Sequence, residues 1–115
     1  MTEKQIENSI LEWLAWNDIF SYKIKSVGTY DPVKGQFRTP SKYYKKGVAD
    51  ILGVLPGGRA LAIEVKSSKG RLSPHQRVFL AQFNEAGGLG FVARSIDEVR
   101  AELNLNTVLL RDKTG

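Results

Sequence analysis

Residues 47–67 read GVADILGVLPGGRALAIEVKS, and the fold follows from how this stretch is parsed. It holds two short apolar, β-branched runs, Gly47 to Leu55 and Arg59 to Ser67, separated by Pro56-Gly57-Gly58, which is the composition of a hairpin turn. Each run also carries charge where a core strand should carry none. Strand side chains alternate between faces, so Glu64 and Lys66 share one face while Leu61, Ile63 and Val65 share the other. Asp50 interrupts Val48-Ala49-Asp50-Ile51-Leu52 in the same way. An unpaired buried charge is costly, so the three groups are expected to meet one another or a bound cation.

Downstream, Ser73 caps a second helix with Pro74 at its first position, and the helix continues through Phe79, Leu80 and Phe83 to a stop at Gly87-Gly88. Leu89 to Arg94 is another apolar strand, which makes the segment a βαβ crossover with parallel strands joined right-handedly. Ser95 caps a third helix to about Leu103, and Thr107 to Arg111 reads as a last strand on the sheet edge. Upstream, Thr2-Glu3-Lys4-Gln5 is a capping box opening a helix to about Asn17, with Ile6, Ile10, Trp13 and Leu14 as its core stripe. Trp16 lies to one side of that stripe, either as an exposed anchor for a partner or as a cover for the following chain.

Phe20 to Val27 alternates as a half-buried strand, with Phe20, Tyr22 and Ile24 on one face and Lys23 and Lys25 on a basic outer face. Thr29 to Lys46, with two prolines, Gly35 and three tyrosines, has no sustained period and is expected to be a long flexible loop. The order α-β-β-β-α-β-α, with one further strand at the end, implies an α/β fold in which helices flank a mixed β-sheet.

A length of 115 residues suits a single domain spanning 1–115, since one core of ordinary size needs roughly 100 to 150 residues. The 42% apolar share is enough to build that core. With no cysteine, thiolate metal sites and disulfides are excluded, and the single His75 cannot form a histidine cluster, so any metal must be held by oxygen. No apolar run approaches the ~18 residues of a membrane span, and the first residues are polar, so a soluble intracellular protein is expected. Twelve of the seventeen Lys and Arg fall between Phe20 and Arg77 against three acids in that window. Such a basic segment suits a phosphate backbone, although a solvated basic face has the same composition.

Two carboxylates on adjacent strands offer hard oxygen ligands for Mg²⁺ or Mn²⁺, and a lysine two residues from one of them can orient a water or stabilise charge on a phosphate in its transition state. The competing reading is a structural Asp–Lys or Glu–Lys pair between neighbouring strands. The motifs decide between them. Gly47-Val48-Ala49-Asp50, Ile63-Glu64-Val65-Lys66 fourteen residues further on, and Gly70-Arg71-Leu72-Ser73 with Gln76 resemble the signature of the VRR-Nuc (virus-type replication-repair nuclease) branch of the PD-(D/E)xK superfamily. Ala49 stands where the superfamily's nominal motif has proline.

The resemblance implies a restriction-endonuclease-like fold, with Asp50 and Glu64 as metal ligands, the Val65 main-chain carbonyl as a further ligand, Lys66 as the catalytic lysine and Gln76 as an active-site helix residue. Gln76 is equally explained by a capping box with Ser73, three residues before it. The family also has a glutamate on its first helix near the metal. On a helical wheel Glu7 falls at the rim of the apolar stripe, an unusual place for a carboxylate, and is preferred to Glu3, which the helix dipole explains. Lys34, Arg38, Lys42, Lys45 and Lys46, interleaved with tyrosines, together with Lys69 and Arg71, are the candidate DNA contacts. His75 is expected to be a surface residue or phosphate contact.

The implied activity is a Mg²⁺- or Mn²⁺-dependent DNA endonuclease acting on branched structures such as four-way junctions, with no small-molecule cofactor and a bacterial or phage-infected cytoplasm as its setting. A two-fold symmetric junction suggests a C₂ homodimer, for which Trp13, Trp16, Ile19 and Phe20 are candidate contacts. The alternatives are a non-cleaving nucleic-acid-binding module on the same fold, against which the intact Asp50, Glu64 and Lys66 argue, and sequence-specific restriction, for which little chain remains to read base edges.

Overall fold

The computed structural model of the chain describes residues 1–24, 30–31, 36–37, 42–43 and 45–111. Helix α1 (Glu3–Trp16) begins on a closed capping box: the Gln5 N–H donates to the Thr2 hydroxyl and the Thr2 N–H donates to the Gln5 side chain. Its stripe Ile6, Ile10, Trp13 and Leu14 is buried, and Glu7 is buried with it. Strand β1 (Phe20–Lys23) follows. Strands β2 (Tyr30–Asp31) and β3 (Gln36–Phe37) pair in a separate antiparallel ribbon. The rest of the order is β4 (Ile51–Val54), β5 (Ala60–Val65), α2 (Pro74–Glu85), β6 (Leu89–Ala93) and α3 (Ile96–Leu105).

The main sheet has the order β1-β4-β5-β6. β4 is antiparallel to both β1 and β5, while β5 and β6 are parallel with Glu64 opposite Val92 and Val65 opposite Ala93. The crossover through α2 therefore joins parallel strands, as the sequence implies. Leu61, Ile63 and Val65 of β5 and Leu89, Phe91 and Ala93 of β6 enter one core cluster with Ile10 and Leu14 of α1 and Val99 and Leu103 of α3. Burying each such Ile or Leu contributes about 1.5–3 kcal/mol. α2 packs against β5 and β6, with Leu80 and Phe83 over Gly90.

Several boundaries differ from expectation, each for a local reason. β1 is an exposed edge strand rather than a half-buried one, with Phe20 and Tyr22 facing out; Lys25 and Val27 lie outside the described residues. Within 29–46, the described part holds the β2–β3 ribbon where a loop without strands was expected, and the rest lies outside the described residues. β4 starts only at Ile51: Gly47 takes a φ of +76° outside the strand range, and the Asp50 side chain, not its backbone, accepts from Val65 N–H, so Asp50 stands one residue before the strand. β5 ends at Val65 and leaves Lys66 just past it. α3 runs on to Leu105. The last strand does not form: Thr107 adopts φ +58°, and Val108 and Leu110 instead lay their side chains against the core from irregular backbone. Among the described residues, no helix is long and apolar enough to cross a membrane.

Candidate active site

The β4–β5 ladder ends at the pair Ile51 and Ile63, and the next inward N–H on β5 is that of Val65. It donates to Oδ2 of Asp50 at 2.8 Å, so a side chain takes over where the strand backbone stops. The Asp50 carbonyl accepts from Ile24 N–H at 2.8 Å, which pins this residue from the β1 side as well. Gly47 sets the approach. A Cβ there would stand 2.4 Å from the His75 carbonyl carbon, so only glycine lets residues 47–50 lie against the start of α2.

Glu64 is only 3% exposed on β5. Its Oε1 accepts from Gln76 Nε2 at 2.9 Å and lies 3.7 Å from Lys66 Nζ. Gln76 also closes the capping box of α2, its Oε1 accepting from Ser73 N–H at 2.8 Å and its own N–H donating to Ser73 Oγ at 3.2 Å. Both positions considered for Gln76 are thus occupied at once, one by each end of its amide. Lys66 is fixed by its N–H donating to the Ala93 carbonyl at 3.1 Å, which ties it to β6.

Around this centre, α1 contributes two acids. Glu7 is buried, with Oε2 3.3 Å from Lys23 Nζ, and it lines a cleft of about 310 Å³ together with Glu3, Lys4, Lys23, Asp50 and Val65. The preference for Glu7 over Glu3 gives way to a shared placement, since the two stand four residues apart on one helix face and both reach the cleft. Glu3 Oε2 also comes within 3.3 Å of where a Cβ on Gly70 would be. Lys23, read as part of a basic outer face, points instead into the acid cleft.

Gly70, part of the motif already quoted, is tied to Arg94, a residue that the sequence did not single out. Arg94 donates from its guanidinium to the Gly70 carbonyl at 2.7 Å, clamping the loop after β5. A Cβ on Gly70 would meet Lys66 Cδ at 3.2 Å and Lys66 Cβ at 3.3 Å. The motif Gly70-Arg71-Leu72-Ser73 flagged the glycine, but nothing local pairs it with a residue twenty-four positions later. Lys69 and Arg71 are exposed beside this loop, and Lys42, Lys45 and Lys46 are exposed before Gly47. Lys34 and Arg38 lie outside the described residues.

The electrostatics of the centre disfavour a second ionised carboxylate at Glu64. Burial first, and then the negative charge and hydrogen bonding of Asp50, push Glu64 from its ordinary 4.5 up to about 8, with Glu3 adding to the rise and Lys66 opposing it. Glu64 Oε2 is buried and, when the carboxyl is ionised and gives no proton to Asp50, has no hydrogen-bond partner. An acceptor in that state fits a hard divalent cation, which would satisfy the oxygen and offset the repulsion between the two carboxylates. Among the described residues no three acidic or histidine side chains gather into a complete ligand set. Two carboxylates supplemented by main-chain oxygen and water are a set that Mg²⁺, which keeps several of its waters, accepts.

Comparison with known proteins gives the family and the fold. The VRR-NUC domain family matches residues 1–97 of the chain. A solved structure described as a VRR_NUC domain protein superimposes with a TM-score of 0.56 at 19% identity, covering 90% of this chain and 86% of that one, so the two share a fold. No curated protein matches the sequence.

Proposed function

The chain belongs to the VRR-NUC domain family, a nuclease-type family, and on that premise we propose that it is a Mg²⁺- or Mn²⁺-dependent endonuclease that hydrolyses phosphodiester bonds of DNA. The observation that carries this reading is the Glu64 carboxylate, buried beside Asp50 with one oxygen unpartnered and Lys66 at the other. A structural ion pair has no need of the second acid. When bound, the divalent ion supplies the positive charge that activates water and neutralises phosphate oxygens.

Asp50 and Glu64 hold that ion, with the Val65 carbonyl as a further oxygen and Glu7 as the acid contributed by α1. Gln76 fixes one Glu64 oxygen by hydrogen bonding, and the other would be available to the ion. Lys66 Nζ, restrained at its backbone by β6 and along its stem by Gly70, places a positive charge where negative charge develops on the phosphate. Lys42, Lys45, Lys46, Lys69 and Arg71, with Lys34 and Arg38, track the DNA backbone.

The substrate we favour is branched DNA such as a four-way junction, cut by a C₂ homodimer. Trp13 and Ile19 are core residues at 8% and 3% exposure and cannot serve as its contacts. Trp16 and Phe20, at 66% and 67%, are exposed together with Tyr22, and β1 is an edge of the sheet among the described residues, so these are the apolar side chains suited to that role. The test is cleavage of labelled four-way junction, flap, single-stranded and linear duplex DNA by the wild type, Asp50→Ala and Lys66→Ala in Mg²⁺, Mn²⁺ or EDTA. Metal-dependent cutting that is greatest on the junction and lost in both variants is expected. Variants that cut as well as the wild type, or a wild type that cuts nothing, would contradict the assignment.

A further inference from the structure

Helix α2 buries little of itself: among its twelve residues only Leu80 is fully buried. At 100° per residue, Gln76, Leu80 and Phe83 form the row that faces the sheet, and His75, Val78, Phe79 and Gln82 form a second row on the flank beside it. Among the described residues, α2 packs on β5 and β6, and His75, Val78 and Gln82 of that second row are exposed. The row forms one wall of a groove of about 240 Å³ whose remaining lining is Lys45 and Lys46. Val78 is 54% exposed within it, an aliphatic side chain in the first half of a helix. Phe79 is half-buried and held by Phe83, with ring centroids 5.7 Å apart, so its position is fixed by the fold.

Two cations facing an immobilised aromatic ring, with an amide at the far end, is the chemistry of a site for an unpaired nucleotide. The lysines and His75 suit its phosphates, Phe79 and Val78 suit the face of its base, and Gln82 suits its polar edge. A solvated helix flank has no reason to set Val78 beside Phe79 in a groove lined by two lysines, and a protein partner would not call for that cation pair. The groove's location supports the same occupant. His75 is the residue before Gln76, and Gly47, next to Lys46, packs against the backbone of both. The row from His75 to Gln82 extends about 10 Å at 1.5 Å per residue, the reach of a few nucleotides at about 3.4 Å per step.

We propose that the groove between Lys45–Lys46 and the His75–Val78–Phe79–Gln82 flank of α2 binds an unpaired nucleotide of the DNA strand next to the one being cut. The proposal rests on the nuclease reading above and gives it a substrate feature: a strand with at least one base out of its duplex near the scissile phosphate.

The test is binding in EDTA by fluorescence anisotropy, comparing a labelled oligo-dT strand with an all-abasic strand of equal length. The full chain and its Val78→Ser, Phe79→Leu and Lys45→Ala/Lys46→Ala variants are used, and circular dichroism checks that each is folded. The wild type is expected to bind oligo-dT about fivefold or more tightly than the abasic strand, the lower end of base–aromatic stacking. Val78→Ser and Phe79→Leu are expected to narrow that ratio, and the double lysine variant to weaken both strands and flatten the salt dependence by about 1.4 in log–log slope. Equal binding of the two strands by the wild type, or a double lysine variant with unchanged affinity and slope, would overturn it. Cleavage assayed in parallel separates the two readings: cutting without base preference removes only the groove, and base preference without cutting removes only the nuclease.

Discussion

At the scale of single residues, Glu64 concentrates the physics of the site. The sequence disclosed it through strand alternation, because an acid and a base two apart on an apolar strand are conspicuous against Leu61, Ile63 and Val65. What alternation could not disclose was which oxygen is left over, since that depends on Gln76 arriving from α2 twelve residues away. The same limit explains why Gln76 stayed divided between capping and the site: a spacing of three fixes the cap but says nothing of where the other end of the amide points. Glu64 also makes the metal-free protein pH-sensitive. Its pKa is about 8 in the fold against an ordinary 4.5, so the folded chain holds a proton that the unfolded chain has released. The resulting stabilisation is complete below 4.5 and is lost as pH rises towards and past 8. In EDTA the melting temperature is therefore expected to fall across that window more steeply for the wild type than for Glu64→Gln, and saturating Mn²⁺ should remove the fall. Identical slopes in the two proteins would remove Glu64 as its source.

At the scale of elements, the hairpin, both capping boxes and the parallel crossover were legible because each is written in local spacing or turn chemistry. The failures were those of apolar runs without a context. Thr107 to Arg111 has the composition of a strand, yet a left-handed Thr107 takes it off the sheet while Val108 and Leu110 still bury apolar surface. β1 looked half-buried because alternation does not say whether a strand is an edge. The loop after β5 carries a consequence for activity. Arg94 holds the Gly70 carbonyl, and Gly70 lies against the Lys66 stem with no space for a branched side chain. Gly70→Val is expected to keep the fold, as read by circular dichroism and melting, while lowering single-turnover cleavage about tenfold or more, since a displacement of about 1 Å at a catalytic group can cost a hundredfold. Unchanged cleavage in a folded Gly70→Val protein would show that the loop does not position Lys66.

At the scale of the whole molecule, charge and apolar surface are separated. The acids of the cleft lie at one end of the sheet with Lys4 and Lys23, further exposed cations stand before Gly47 and at Lys69 and Arg71, and the exposed Trp16, Phe20 and Tyr22 fall in or just before β1. The concentration of cations in the middle of the chain was plain in the sequence, but the separation of the exposed Trp16 and Phe20 from the buried Trp13 and Ile19 needed the fold. If the β1 edge joins two copies, Trp16→Glu/Phe20→Glu is expected to convert a dimer into a monomer by light scattering after gel filtration. A wild-type monomer both free and on a junction, or a double variant that remains dimeric, would remove that surface from the assembly.

The claim on which the rest depends is that Asp50 and Glu64 together hold a divalent cation. Calorimetric titration of Mn²⁺ into the wild type, Asp50→Asn and Glu64→Gln at pH 7.5, without DNA, addresses it directly. Saturable binding by the wild type that is lost or severely weakened in both folded variants is expected. No binding by the wild type, or isotherms that are the same in all three proteins, would contradict it.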